Sequence, residues 1–494
     1  MRSAGLLLPI FSLPSPCGIG TMGQAARDFV GFLADSGQSC WQVLPMGPTG
    51  YGDSPYQSFS SFAGNPYFID LDDLARDGLL SPEEYRDLDW GGDPAAVDYG
   101  LLYQNRFPVL RLACGRLLAN PPADYSAFLS DSAGWLEDYA LFMALKGAHG
   151  GDPWYRWPEE LRLRRPEALE EARRTLAGEA DFWRAVQYLF FRQWDELKAL
   201  ANRNGVSIIG DLPIYVPLDS AEVWADPGQF QLDETLTPTE VAGCPPDAFS
   251  ADGQLWGNPL FDWEKMRSDG YRWWLRRIDG QYRFCDVLRI DHFRGFDEYY
   301  AIPYGDATAR NGRWRPGPGL DFFRTVDRVL GRRPIIAEDL GFLTDSVRQL
   351  LTDTGYPGMK VLEFAFDSRA MDSDYLPHRY PRSCVVYAGT HDNDTILGWL
   401  DSLAPDDLDF ARRYLRLNRS EGCHWGVMRS AWASVADLAV MQVQDLLGLG
   451  SEARINTPST TGCNWRWRLL PGQLTGRLAR RLRLEMAVFG RLSS

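Results

Sequence analysis

The chain has 494 residues, 45% hydrophobic and 24% charged, with 51 basic and 66 acidic side chains for a net charge of −15. This is a soluble globular composition, long enough for one large barrel with insertions or for two to three ordinary domains. The acidic balance argues against a phosphate-neutralising nucleic-acid surface, and no apolar run approaches a membrane span.

An apolar run at 6–10 opens the chain. It reads as a strand rather than a signal peptide, because the stretch is short, contains Pro9 and has no A-x-A site after it. The loop 12–20 leads into a helix with Ala26, Phe29, Val30 and Leu33 at helical spacing, and Gly37 stands where a C-cap glycine belongs. A strand at 40–44 is stopped by Pro45. Strand, helix, strand predicts a parallel sheet. The loop 46–66 contains Gly50-Tyr51-Gly52-Asp53-Ser54-Pro55-Tyr56-Gln57-Ser58-Phe59. Connections of that length usually carry function.

The texture then turns helical. Ser81-Pro82-Glu83-Glu84 has the form of a capping box with Pro at the first helical position. Helical patterns at 135–146 and 159–176 follow. They predict a helical insertion over 81–178 within a barrel made of 1–80 and 179–494. An amphipathic helix over 181–201 carries Phe182, Val186, Leu189, Phe190, Trp194 and Leu197, and a strand at 206–211 ends in Asp211. Residues 216–263 show no clear element and read as a large loop over the barrel mouth. Strands are expected at 287–291 and 335–339, at 360–366, and from 385 onward. Helical patterns at 319–330, 343–354 and 405–417 separate them. A helix over 429–449, a loop at 456–467 and a helix over 474–492 complete the reading. The predicted fold is α/β, a (β/α)8 barrel with a largely helical insertion and long loops over its mouth.

Eight cysteines are scattered with no C-x-x-C pair, which excludes zinc-ribbon and thioredoxin readings and predicts free thiols in a reducing cytoplasm. Eighteen Trp, 21 Tyr and 25 Phe supply flat amphipathic rings, some of which can stack on sugar faces.

Three of the apolar runs end in carboxylates: Val287-Leu288-Arg289-Ile290-Asp291, Ile335-Ile336-Ala337-Glu338-Asp339, and Val385-Val386-Tyr387-Ala388-Gly389-Thr390-His391-Asp392. Runs of this kind suit strands buried on both faces, and in a (β/α)8 barrel the C-terminal strand ends build the active site. Arg289 and Asp291, two apart on a strand, face the same side. The guanidinium is expected to lower the Asp291 pKa and keep it ionised, although a structural ion pair fits the same pattern. Glu338, close to other carboxylates in a partly dry cleft, is expected to have a raised pKa and to hold a proton; the alternative is a helix-capping acid, which suits Asp339 better. His391 and Asp392 offer hydrogen-bonding groups for a sugar. A polar helix-capping turn is the competing reading, and a calcium reading of Asp392-Asn393-Asp394 lacks the glycine and terminal glutamate of an EF-hand.

These residues carry a family resemblance. Gly50 to Ser58 comes first, then Gly210-Asp211-Leu212-Pro213-Ile214-Tyr215-Val216, Pro245-Pro246-Asp247 and Gly253-Gln254-Leu255-Trp256-Gly257-Asn258. Arg289-Ile290-Asp291-His292-Phe293-Arg294-Gly295, Ala337-Glu338-Asp339-Leu340-Gly341, Gly389 to Thr395 and Asn464-Trp465-Arg466-Trp467-Arg468 follow. Over essentially its whole length the chain resembles the amylomaltases, or 4-α-glucanotransferases, of the α-amylase clan. The resemblance implies a retaining transfer of α-1,4-glucan segments to the 4-hydroxyl of an acceptor sugar, with malto-oligosaccharides as partners and no cofactor or required metal. It implies Asp291 as nucleophile, Glu338 as general acid/base and Asp392 as transition-state stabiliser. Asp211, Arg289 and His391 would line the donor site and Tyr56 would hold the donor chain. Trp256 would lie on the acceptor side, Asn464 would contact substrate, and Tyr51 would make a second glucan contact. The chain departs from the family at Cys244 and Cys463, where Val or Pro is expected. It departs again at Ile455-Asn456-Thr457-Pro458-Ser459, where Met-Asn-x-Pro-Gly is usual. These departures bear on loop rigidity and acceptor contacts rather than on the acids.

Three rivals remain at this level. An α-glucan hydrolase would use the same acids with water as acceptor. A carbohydrate-binding protein with a dead barrel is disfavoured because all three acids are present. A divalent-metal barrel of the enolase type needs a Lys base, and Lys360 is the only lysine near these strands.

Overall fold

The computed structural model describes residues 2–50, 52–246, 251–341 and 343–492. Eight parallel strands form one sheet: β1 (Ser3–Leu7), β2 (Cys40–Gln42), β3 (Ser207–Leu212), β4 (Val287–Ile290), β5 (Ile335–Ala337), β6 (Gly358–Val361), β7 (Cys384–Tyr387) and β8 (Leu438–Gln442). Their order, β6-β7-β8-β1-β2-β3-β4-β5, is sequential around a ring. β1 pairs with both β8 and β2. The remaining gap is bridged where Ala337 N–H donates to Pro357 O at 2.9 Å. Helices follow most strands, so this is a (β/α)8 barrel. The strands are short and almost wholly buried, as expected for a sheet covered on both faces.

The helix Gln24–Asp35 shows how the first unit is held. Phe29 lies edge-on to Trp41 at 4.9 Å, and the Trp41 indole donates to Leu8 O at 2.8 Å. Between β2 and β3 run the helices Tyr99–Ala119, Tyr125–Ala148, Pro166–Thr175 and Ala177–Arg203. The capping box at Ser81 forms, with Ser81 N–H donating to Glu84 at 2.8 Å, but it caps only the single 3-10 turn Pro82–Glu84.

The structure corrects the sequence reading in three places. The segment read as one helix over 429–449 contains β8, flanked by helices Cys423–Ala433 and Val443–Leu447. Its apolar residues Ala439, Val440 and Met441 are buried on both faces, and periodicity cannot separate such a run from a buried helix. Within 216–263, strands Glu240–Cys244 and Gln254–Pro259 join Glu298–Pro303 and Arg313–Pro316 in a second, four-stranded antiparallel sheet. Its ladder pairs Glu240 with Pro303, a contact far beyond any local pattern. Strand β6 ends at Val361, and Leu362–Ala365 forms a 3-10 turn instead of continuing the strand to 366. Among the described residues no helix is long and apolar enough to cross a membrane.

Candidate active site

Strand register brings the polar side chains together. Asp211 stands opposite Arg289 on neighbouring strands, and Ile290 stands opposite Ala337. The Arg289 guanidinium donates to Asp211 Oδ1 at 2.6 Å and to Asp291 Oδ1 at 3.0 Å. Asp211 and Arg289 are buried, while 29% of the Asp291 side chain is open. Ladder bonding continues beyond the strands: Glu338 N–H donates to Ile290 O, and Phe293 N–H to Glu338 O, both at 3.0 Å. Asp291 and Glu338 therefore follow adjacent strands onto the same edge. His292 takes a left-handed conformation, φ 50°, and its N–H donates to Glu338 Oε2 at 2.7 Å. Leu340 N–H donates to Oε1 at 2.9 Å.

A second line of contacts comes from loops. The Tyr56 hydroxyl donates to Asp211 Oδ2 at 2.8 Å and lies 2.7 Å from His391 Nε2, with the two rings stacked at 5.3 Å. A hydroxyl that gives its hydrogen to Asp211 must receive one from His391, which selects the Nε2–H tautomer. Burial pushes the His391 pKa down, so the ring is neutral. Asp392 lies beside His391, its Oδ2 3.4 Å from Nε2.

Burial dominates the proton affinity of the two acids. Burial raises the Asp291 pKa most; Arg289 pulls it back, but Asp211, Glu338 and Asp392 add to the rise, and the carboxyl is pushed up to about 8. Arg289 lowers it as expected, but the net shift is upward, because burial outweighs the guanidinium and the neighbouring carboxylates add to the rise. Burial also raises Glu338, against the opposing pull of Arg289 and the Leu340 and His292 N–H groups. Burial works against the Arg289 charge, yet Asp211 and Asp291 hold it firmly cationic.

The other expected residues divide. Trp256 lies edge-on to His292 at 4.9 Å, beside the residue that binds Glu338. Asn464 is spent on its own loop: it accepts from Thr457 N–H at 3.0 Å and donates to Thr460 O at 2.9 Å. Its neighbour Trp465 instead faces the site, 5.8 Å from the Tyr56 ring and 6.1 Å from His391. Tyr51 and Asp247 lie outside the described residues.

Two residues that hold Asp392 were not singled out as site residues. Asn456 donates to Asp392 Oδ1 at 2.6 Å, and Arg454 donates to Asp392 O at 2.6 Å. Asn456 stands in the 455–459 segment already marked as unusual, so its presence was visible and its partner was not. In the same segment Ser459 takes φ 65°, a backbone that favours glycine, which accounts for the Gly usual there. Asn393 accepts from Thr390 N–H at 2.9 Å, while Asp394 accepts from Ser451 at 2.8 Å. These side chains support the turn, and among the described residues no group of three or more His, Cys, Asp or Glu is arranged to hold a metal ion.

The 4-α-glucanotransferase family model matches residues 8–474. The chain belongs to the 4-α-glucanotransferase family. It is an enzyme of that activity, similar to the 4-α-glucanotransferase of Thermus thermophilus (51% identical, covering 98% of this chain and 97% of that one). It is also similar to that of Clostridium butyricum (45% identical, covering 98% and 99%). Among solved structures it matches the amylomaltase from Streptococcus agalactiae in complex with acarbose, with TM-score 0.98, 41% identity and full coverage of both chains. The amylomaltase from Corynebacterium glutamicum, at TM-score 0.77, 18% identity and coverage of 100% and 75%, shares the fold.

Proposed function

We propose that this 4-α-glucanotransferase moves α-1,4-glucan segments between malto-oligosaccharides by two displacements with net retention, using Asp291 and Glu338. The observation that carries the reading is the joining of the two acids through His292 N–H at 2.7 Å from Glu338 Oε2, in a site where both carboxyls hold protons more tightly than usual. Glu338, raised by burial, supplies the proton the reaction needs. Glu338 delivers it to the glycosidic oxygen as Asp291 attacks the anomeric carbon. The resulting glycosyl-enzyme is then attacked by an acceptor 4-hydroxyl whose proton returns to Glu338. With substrate bound, the two carboxyls are expected to stand about 5–5.5 Å apart, the spacing of a retaining pair.

Asp392, held by Asn456 and beside neutral His391, is the proposed stabiliser of the cationic transition state. Asp211, Arg289, Tyr56 and His391 form the proposed donor wall, and Trp256 the acceptor platform. The segment 81–178 is proposed as an insertion subdomain, and the cytoplasm as the compartment, in keeping with eight cysteines that form no disulfide among the described residues.

Incubation with maltotriose tests the transfer. Glucose and longer oligomers with little rise in reducing ends are expected; a rise in reducing ends matching donor loss would make the enzyme a hydrolase.

A further inference from the structure

Beside the rings of Tyr56 and His391 stands a residue with an unusual backbone. Trp465 is 4% exposed and takes φ 64°, a left-handed conformation that a bulky side chain rarely adopts. Such a conformation persists only where the surroundings fix it, and it points to a role for the side chain it carries. Two hydrogen bonds fix it here. Trp465 N–H donates to Ile455 O at 2.8 Å. The hydroxyl of Tyr99, the first residue of the helix Tyr99–Ala119, donates to Trp465 O at 2.8 Å. The next residue is tied as well, since Val97 N–H donates to Arg466 O at 2.8 Å.

Held this way, the indole closes a triangle of rings. It lies 5.8 Å from Tyr56 and 6.1 Å from His391, tilted 42° and 39° to them, while Tyr56 and His391 stack at 5.3 Å. Rings at these separations pack against one another. His391 depends on that packing. Its Nε2 meets the Tyr56 hydroxyl at 2.7 Å, but its Nδ1 is buried and has no hydrogen-bond partner among the described residues. One end of the imidazole therefore has no polar group to hold it. The backbone ties run the same way: Asn456, next to the Ile455 that holds Trp465, donates its N–H to His391 O at 3.1 Å.

We propose that Trp465 is a positioning residue: its ring locks the His391 imidazole and the Tyr56 phenol in the pose that links His391, through the Tyr56 hydroxyl, to Asp211. The left-handed backbone is the means, because it carries the indole from its loop onto both rings at once. The Tyr99 hydroxyl ties that hold to the helices between β2 and β3. The inference rests on Tyr56 and His391 forming the donor wall, so its test reads ring orientation and turnover separately.

Trp465→Leu removes the ring, and Trp465→Phe keeps an aromatic one. On maltotriose, kcat/KM should fall about tenfold to a hundredfold in Trp465→Leu, as for a site group displaced by about 1 Å. Trp465→Phe should recover most of that loss. With only five histidines in the chain, nitrogen NMR of their side chains is readable, and His391→Gln assigns the signal. In wild type, His391 should show the Nε2–H tautomer alone; in Trp465→Leu it should show a mixture of the two tautomers. Equal losses in the two variants, or a His391 signal unchanged in Trp465→Leu, would overturn the proposal. A changed signal with unchanged kcat/KM would uphold the packing and overturn the donor-wall reading. Should Trp465→Leu not fold, Tyr99→Phe removes only the hydroxyl on Trp465 O. It should shift the same His391 signal and lower kcat/KM by a smaller factor, and no change in either would overturn the proposal equally.

Discussion

The backbone N–H of His292 donates to Glu338 Oε2 at 2.7 Å, so the residue after Asp291 holds the carboxyl that follows the next strand. The left-handed backbone of His292, φ 50°, turns that N–H toward Glu338. Position of one acid is thereby written into the chain that carries the other. Asp291→Asn is expected to lower kcat by about 10³-fold or more, since an amide can neither attack nor carry the intermediate. Near-normal turnover on maltotriose would refute the assignment.

Glu338→Gln should fail on maltotriose, which needs a proton for its leaving oxygen, and do much better on an α-maltosyl fluoride, which does not. Steady-state rates on the two donors check this. Equal losses on both would assign Glu338 another role.

Tyr56→Phe keeps the ring that stacks on His391 and removes the hydroxyl between Asp211 and His391. Two buried polar atoms lose their partner, at about 1–3 kcal/mol each. A fall in kcat/KM of about tenfold to a hundredfold is expected. An unchanged value would remove Tyr56 from the donor wall.

The pH dependence of stability has a definite sign. The folded state binds the Asp291 proton more tightly than the unfolded chain, with the carboxyl pushed up to about 8 from 3.8. Stability present below pH 4 from this group is lost as pH rises toward 8. The unliganded enzyme should therefore melt at lower temperature at pH 8 than at pH 5.5, and Asp291→Asn should flatten the difference. Calorimetry at the two pH values decides; a steeper slope in the variant would contradict the electrostatic account.

How far these features could be read in advance depended on their locality. Asp291, Glu338 and Asp392 each end or closely follow an apolar run, so barrel logic brought them to one mouth. Arg289 opposite Asp211 follows from strand register once the strands are ordered. Strand β8 was lost because Ala439, Val440 and Met441 are buried on both faces and have no periodicity. The second sheet was lost because Glu240 pairs with residues near 303, a tertiary contact without a local signature. Asp392's partners Asn456 and Arg454 lie over 60 positions away, within reach only after β8 returns the chain to the mouth. The upward shift of Asp291 is not legible from its pairing with Arg289, because burial, the largest cause, and the neighbouring carboxylates exist only in the folded site.

The most direct measurement is the identity of the residue that carries the sugar. Glu338→Gln treated with α-maltosyl fluoride, quenched, digested and mapped by mass spectrometry should show one maltosyl unit on the peptide containing Asp291, attached to that carboxyl. A maltosyl group on any other residue, or turnover of the fluoride with inversion and no adduct, would contradict the double-displacement account.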